Sequence, residues 1–380
     1  MDITFNEEQE MLRKSASDFL IAECPKTKSR ELEEDEKGYS PEIWRKMAGL
    51  GWMGLAIPEE YEGMGMTFQD LTVLLEEMGK NVLPGPFSCT VIGGAFAILE
   101  AGTEEQKKEF LPKIANGELI LTTALLEPGG AYYEASGVNL KATAQGDNFV
   151  LNGTKVFVEM ANVADYLICA TRTKDGSSDE DGISLFIVDA KAKGISVEVM
   201  PTIAFDKLCE VRFENVSIPT ENMLGERDKG WPVVQKVVQK GAIAKCAESV
   251  GGMQASVDMT VAYCKDRVQY DRPIGAFQAL QHIMADMWIV TQTSKYLVYQ
   301  AAWMESVGQP CAMEVAMAKA YVNEYYKWVT ERTVSLHGGI GTSREHDAGL
   351  YYRRAKAADV AFGDTDFQRE LVAQKIGLIS

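Results

Sequence analysis

Gly146-Asp-Asn-Phe-Val-Leu-Asn-Gly-Thr-Lys-Val-Phe-Val158 holds two short runs of β-branched and aromatic residues, Phe149–Leu151 and Thr154–Val158. Each follows a turn signal, Gly-Asp-Asn and then Asn-Gly, so the stretch reads as strands joined by tight turns. The same texture continues in Tyr166–Thr171, Ile183–Val188 and Val211–Val216. Residues from about 118 to 218 therefore read as an antiparallel sheet domain.

Helical signals lie on both sides of it. Ser40-Pro41 supplies an N-cap and a first-turn proline, followed by Ile43, Met47 and Leu50 at helical spacing. Thr103-Glu-Glu-Gln106 is a capping box that opens another helix. From Trp231 onward long helical periodicity returns, as in Met253, Val257, Thr260, Val261 and Cys264. The order helices, sheet, helices predicts an α+β protein. Its divisions are an N-terminal helical domain over 1–117, a middle antiparallel β domain over 118–222 and a C-terminal helical bundle over 223–380. The two helical parts are expected to pack together, because neither is well placed to bury its apolar faces alone. The polar segment Lys174–Gly182 reads as a surface loop of the sheet domain.

Composition narrows the function classes. The chain has 380 residues, 46% of them apolar, enough for two or three linked cores. Its formal charge of −17 repels phosphate backbones, which argues against a nucleic-acid partner. The longest apolar stretches, Leu119–Leu126 and Ile183–Val188, fall far below the roughly 20 residues of a membrane span, and the start lacks a basic leader region. A cytoplasmic protein without a membrane partner is expected. Seven scattered cysteines without a CxxC pair suggest neither a disulfide framework nor a zinc site, and the three histidines have no metal-ligand spacing. No metal is expected.

Three motifs could carry chemistry. In Arg267-Val-Gln-Tyr-Asp-Arg-Pro-Ile-Gly-Ala-Phe-Gln278 a basic helix end meets a Pro/Gly turn; an arginine there can pair with a phosphate and Gln278 can offer its amide to a cofactor edge. Leu336-His-Gly-Gly-Ile-Gly341 and Glu127-Pro-Gly-Gly130 could bring bare backbone N–H groups against a ligand. Each has a plainer reading, respectively a capped helix–turn–helix, a helix break and an ordinary Pro-Gly turn. His337 reads as a turn residue and His346-Asp347 as a helix N-cap region.

Taken in order, these pieces resemble the acyl-CoA dehydrogenase family from Phe5-Asn-Glu-Glu-Gln to Lys375. The match runs through Gly51-Trp-Met-Gly-Leu-Ala-Ile-Pro-Glu-Glu-Tyr-Glu-Gly-Met-Gly, Gly102-Thr-Glu-Glu-Gln-Lys-Lys, Glu127-Pro-Gly and Asn152-Gly-Thr-Lys155. It continues through Val211-Arg-Phe-Glu-Asn-Val-Ser-Ile-Pro219, Arg267…Gln278 and His337-Gly-Gly-Ile-Gly341. The resemblance implies a C-terminal four-helix bundle and FAD shared between subunits, in a homotetramer or heterotetramer. It also implies α,β-dehydrogenation of an acyl-CoA thioester, with electrons passed to electron-transfer flavoprotein. It assigns Arg267, Tyr270 and Gln278 to one FAD, Gly338, Gly339 and residues near Asp364 and Asp366 to a neighbour's, and Leu126, Phe157 and Glu159 to the flavin surroundings. By position Ser88, Cys89, Tyr132 and Tyr133 line the acyl pocket, or else serve loop and core packing. Their mix of small and aromatic side chains admits a branched, cyclic or aromatic acyl group.

The sequence departs from the family pattern at the chemistry. Proton removal needs a carboxylate in a dry pocket. Aligning on Tyr352-Arg-Arg-Ala-Lys356 puts Phe362 at the commonest base position, and the alternative base position, on the helix before Val250-Gly251, holds Gly241. Leu126 and Glu159 replace common threonines, Asp271 a glycine and Ser335 a glutamine. One expectation is an active enzyme whose base is displaced to Asp364 or Glu159. Another is a non-catalytic or FAD-poor subunit of a heteromeric dehydrogenase. A third is an acyl-CoA-binding protein without redox activity.

Overall fold

The computed structural model describes residues 5–130, 132–174, 176 and 179–378. Before the sheet come α1 (Glu7–Glu23), α2 (Lys26–Glu34), α3 (Pro41–Gly49), α4 (Phe68–Asn81), a π-helical turn (Cys89–Ala95), α5 (Phe96–Ala101) and α6 (Glu104–Ala115). Their starts follow from side-chain caps. Ser40 Oγ accepts from Ile43 N with Pro41 in the first turn, and Thr103 and Gln106 form the reciprocal capping box. Asn6 with Gln9 and Thr67 with Asp70 form two more, each such cap contributing about 1 kcal/mol.

The strands are β1 (Leu121–Ala124), β2 (Lys141–Gln145), β3 (Asn148–Glu159), β4 (Tyr166–Arg172), β5 (Ile183–Asp189), β6 (Ile195–Met200), β7 (Leu208–Pro219) and β8 (Met223–Leu224). Among the described residues they form one sheet in the order β6-β7-β3-β2-β4-β5-β8, with β1 paired to β4. Most pairings are antiparallel, as expected; β1 and β4 run parallel, and Lys141 of β2 meets Arg172 of β4 in parallel register.

The two turn signals of the opening stretch part company here. Gly146-Asp147 is a turn between β2 and β3, with Gly146 at φ +61. Asn152-Gly153 is no turn: β3 runs through it, and the register against β7 shifts between Leu151 and Gly153. The extra residue at this shift lies on β7, where Asn215 is at φ +53 and donates its N–H to Asn152 Oδ1 at 2.8 Å, so Asn152-Gly153 faces a β-bulge, a use of Asn-Gly that a strand-plus-turn reading does not anticipate. A second shift lies between Lys155 and Val158, with Phe157 at φ +55.

After the sheet come α7 (Trp231–Asp266), α8 (Gln278–Ser306), α9 (Ala312–His337), α10 (Ala348–Val360) and α11 (Thr365–Lys375). The chain forms two compact units. One comprises 1–31, 67–83 and 242–380, the other 32–66 and 84–241. The first joins α1 and α4 to the C-terminal helices: Gln9 donates to the buried Asp70 at 2.8 Å, and Lys295 and Tyr299 of α8 hold the buried Glu76 of α4. This is the expected mutual packing of N- and C-terminal helices. Its core includes Met253, Val257, Met287, Tyr326 and Val329. In the second unit, Ile57, Phe110, Leu111 and Ile114 pack on Ile168, Leu185 and Ile187 of the sheet.

All seven cysteines are buried and none is in a disulfide. Asp175, Ser177 and Ser178 of the expected 174–182 loop, and Met1–Thr4, lie outside the described residues. Among the described residues no helix is long and apolar enough to cross a membrane.

Candidate active site

The residues expected around a cofactor fall into two groups, one in each unit. In the sheet unit, the bulge of β3 leaves Val156 N free of β7, and it donates instead to Leu126 O at 2.9 Å. Leu126 is half-buried. Phe157 stands 41% exposed beside Tyr132, 54% exposed, with ring centroids 6.4 Å apart. A bulky residue at positive φ is backbone strain, which persists where the surroundings hold it, often at ligand clamps. Together the two rings form an apolar, accessible platform.

Glu159 ends β3, half-buried, and its charge acts on the buried thiol of Cys89. Burial first, and then Glu159, push that thiol well above its ordinary pKa, so Cys89 is a neutral wall residue and no nucleophile. Cys89 Sγ donates to Pro86 O at 3.3 Å at the start of the π-helical turn, with Ser88 half-buried before it. π-turns frequently mark functional sites. Tyr133, at φ +57, is half-buried. Leu126 thus meets the bulge of β3, Tyr132 lies against Phe157 of that bulge, and Glu159, two residues on in β3, acts on Cys89.

Behind Leu126 and the bulge of β3 lies a buried ion pair that no local motif marks. Lys155, fully buried, places Nζ 2.6 Å from Glu127 Oε1 and donates to Leu125 O at 3.1 Å. Glu127 Oε1 also accepts from the backbone N–H groups of Asn139 and Leu140, both at 2.9 Å. Burial pulls the Lys155 ammonium below its ordinary pKa while Glu127 opposes that pull. The available signal was a lysine inside an apolar β run and a glutamate closing another.

In the helical unit, Arg267 is exposed at the end of α7, and Val268-Gln269 pairs with Arg272-Pro273 in a two-stranded hairpin. Its tip holds Tyr270 and Asp271, both at positive φ, with Tyr270 87% exposed. Gln278 begins α8. Gly338 and Gly339 are exposed, Gly338 at φ +64, and a Cβ built on either meets nothing within 4 Å. The Gly338 N–H is engaged by Ser335 O as the cap of α9, and what the two exposed glycines offer a ligand is close backbone approach. Preceding them, His337 is buried at the end of α9 instead of lying in the turn. It stacks on Tyr263, centroids 4.4 Å apart, its Nδ1 2.7 Å from Thr333 O. His346, not Asp347, supplies the cap atom of α10, accepting from Ala348 N at 3.2 Å; Asp347 pairs with Arg30 at 2.6 Å. Asp364 caps α11 through Phe367 N at 2.9 Å, and Asp366 is exposed, 3.6 Å from Arg369. Phe362 is half-buried at φ +57, and Gly241 lies within α7.

Three family models match consecutive stretches. Residues 6–118 match the acyl-CoA dehydrogenase N-terminal domain, 122–216 its middle domain and 228–377 its C-terminal domain. The chain belongs to the acyl-CoA dehydrogenase family. It is 32% identical to the short-chain specific acyl-CoA dehydrogenase of Clostridium acetobutylicum, over 99% of this chain and 100% of that protein. It is also 32% identical to CarC, a subunit of the caffeyl-CoA reductase–Etf complex of Acetobacterium woodii, over 97% and 98%. Butyryl-CoA dehydrogenase from Megasphaera elsdenii shares the fold with a TM-score of 0.92 at 28% identity, covering 99% of this chain and 100% of that one. This family member is an oxidoreductase acting on acyl-CoA, and its cofactor is FAD. Both groups leave room for such a cofactor, the accessible rings of Phe157 and Tyr132 as apolar surface and the open Gly338-Gly339 turn as a place for close backbone approach.

Proposed function

We propose that this acyl-CoA dehydrogenase oxidises the Cα–Cβ bond of an acyl-CoA thioester with Glu159 as the base that takes the Cα proton. The observation that carries the choice is the contrast between the two candidate carboxylates. Asp364 is exposed and occupied in capping α11, whereas Glu159 is half-buried, its charge acting on the buried Cys89, two residues along β3 from the accessible ring of Phe157. A base works best in a water-poor pocket within reach of its proton. FAD supplies the acceptor for the hydride that leaves Cβ, and the product is the α,β-unsaturated thioester.

Leu126 and Phe157 face the flavin in this reading. Arg267, Tyr270 and Gln278 hold one FAD, and Gly338, Gly339 and Asp366 meet that of a neighbouring subunit. Ser88, Cys89, Tyr132 and Tyr133 border the acyl group, favouring a compact branched, cyclic or aromatic one. Electrons pass on to electron-transfer flavoprotein, and the working form is a tetramer.

The experiment is an anaerobic titration of the flavin-loaded protein with straight, branched, cyclic and aromatic acyl-CoA thioesters, followed by flavin bleaching. At least one must bleach the flavin; a panel that leaves it oxidised throughout sinks the reading.

A second reading rests on Phe362 and Gly241. With a phenyl ring and a glycine at the two usual base positions, this chain is a site-shaping subunit whose paralogue provides the base. It predicts bleaching only after a partner chain is added.

A further inference from the structure

The buried Lys155–Glu127 pair is not explained by stability alone. Taking two charges out of water costs several kcal/mol per ion, and apolar residues of similar size often serve a core as well or better. What the pair does here is geometric. Three successive residues are tied to β3 or to the chain that returns towards β2: Leu125 O by Lys155 Nζ, Leu126 O by Val156 N, and Glu127 Oε1 by Lys155 Nζ and by the N–H groups of Asn139 and Leu140. Lys155 sits at the register shift that turns Val156 and Phe157 away from β7, so one ammonium braces both sides of the Leu126–Phe157 neighbourhood from behind.

We propose that Lys155 is a positioning residue for the flavin. Wholly buried, it cannot touch a ligand on the exposed face of Phe157; it fixes the spacing between the 125–127 segment and the bulge of β3, and through them the edge offered to the ring. The inference rests on the reading that Leu126 and Phe157 face the flavin. A strained Phe157 fits it, since positive φ at a phenylalanine persists only where neighbouring groups over-determine it.

The test uses the full chain. Removing both charges together in Lys155→Met/Glu127→Leu leaves no orphan ion but does free the N–H groups of Asn139 and Leu140, so the apoprotein is expected to fold with wild-type far-UV dichroism and a lowered melting temperature. FAD affinity is expected to fall by about tenfold or more, the usual scale for lost supporting contacts, and the fine structure of the bound flavin's visible band to blur. Unchanged affinity and band shape in the folded double variant overturn the proposal. If that variant does not fold, Glu127→Gln decides, because it keeps the acceptor geometry and removes only the charge. The expected result is a lower melting temperature with the flavin band intact; a folded Glu127→Gln protein with a blurred band overturns the proposal. Leu126→Trp is the separate control on the underlying reading: normal FAD binding there shows that Leu126 does not face the flavin, whatever Lys155 does.

Discussion

Gly79 lies so close to Glu248 that a methyl group on its Cα would stand 1.9 Å from the Glu248 carbonyl oxygen. Gly251 meets the carbonyl of Glu76 in the same way, also at 1.9 Å. Helices α4 and α7 thus cross backbone to backbone, and both obstacles are main chain, which cannot rotate aside. Gly79→Ala and Gly251→Ala are each expected to destabilise the chain by about 1–3 kcal/mol, the cost of overpacking, even though alanine is the better helix former. Urea unfolding of the two variants checks this; wild-type midpoints would contradict the crossing.

How much of this was legible beforehand depended on whether the signal was local. Ser40, Thr103 and Trp231 marked helix starts because caps and periodicity act within a few residues. Asn152-Gly153 permits a turn for the same local reason, but pairing with β7, more than fifty residues on, keeps the strand running and sets the dipeptide opposite a bulge of β7. The crossing of Gly79 with α7, and the meeting of Glu127 with Lys155, need contacts that no window of sequence contains. The candidate site residues follow largely from the family resemblance. In the fold Val156 N reaches Leu126 O, Glu159 acts on Cys89, and Asp364 caps a helix.

The two carboxylates separate by mutation. Asp364→Asn retains a capping side chain, so stability should change by less than about 0.5 kcal/mol and turnover should stay near normal. Glu159→Gln should lower turnover by roughly 10²–10⁴-fold with FAD still bound. The reverse pattern in steady-state assays moves the base to Asp364.

Phe157→Gly releases the positive-φ strain but removes the ring of the platform. The apoprotein is expected to keep its stability to within about 1 kcal/mol, while FAD affinity falls by roughly tenfold, a trade of function against strain. Calorimetry of the apoprotein with flavin titration measures both; an apoprotein destabilised by several kcal/mol, or undiminished FAD affinity, contradicts the role.

His337 gives a pH signature. Burial, and then the charge of His346, push its pKa below the ordinary 6.5, although the Thr333 carbonyl opposes them. The folded chain then binds fewer protons at this site than the unfolded chain, so the stability contribution is intact above pH 6.5. It is lost as pH falls from there through the depressed value. The melting temperature of the wild type should therefore drop more steeply than that of His337→Gln between about pH 7 and pH 5.5. Parallel curves would show that His337 titrates normally.

The central claim is that this chain, by itself, carries the flavin and the base. Expressing it alone, recording the visible spectrum for FAD content, and adding a thioester from the panel anaerobically tests that most directly. The account predicts stoichiometric FAD that bleaches on addition; a colourless chain, or bound FAD that stays oxidised until a paralogous subunit is supplied, contradicts it.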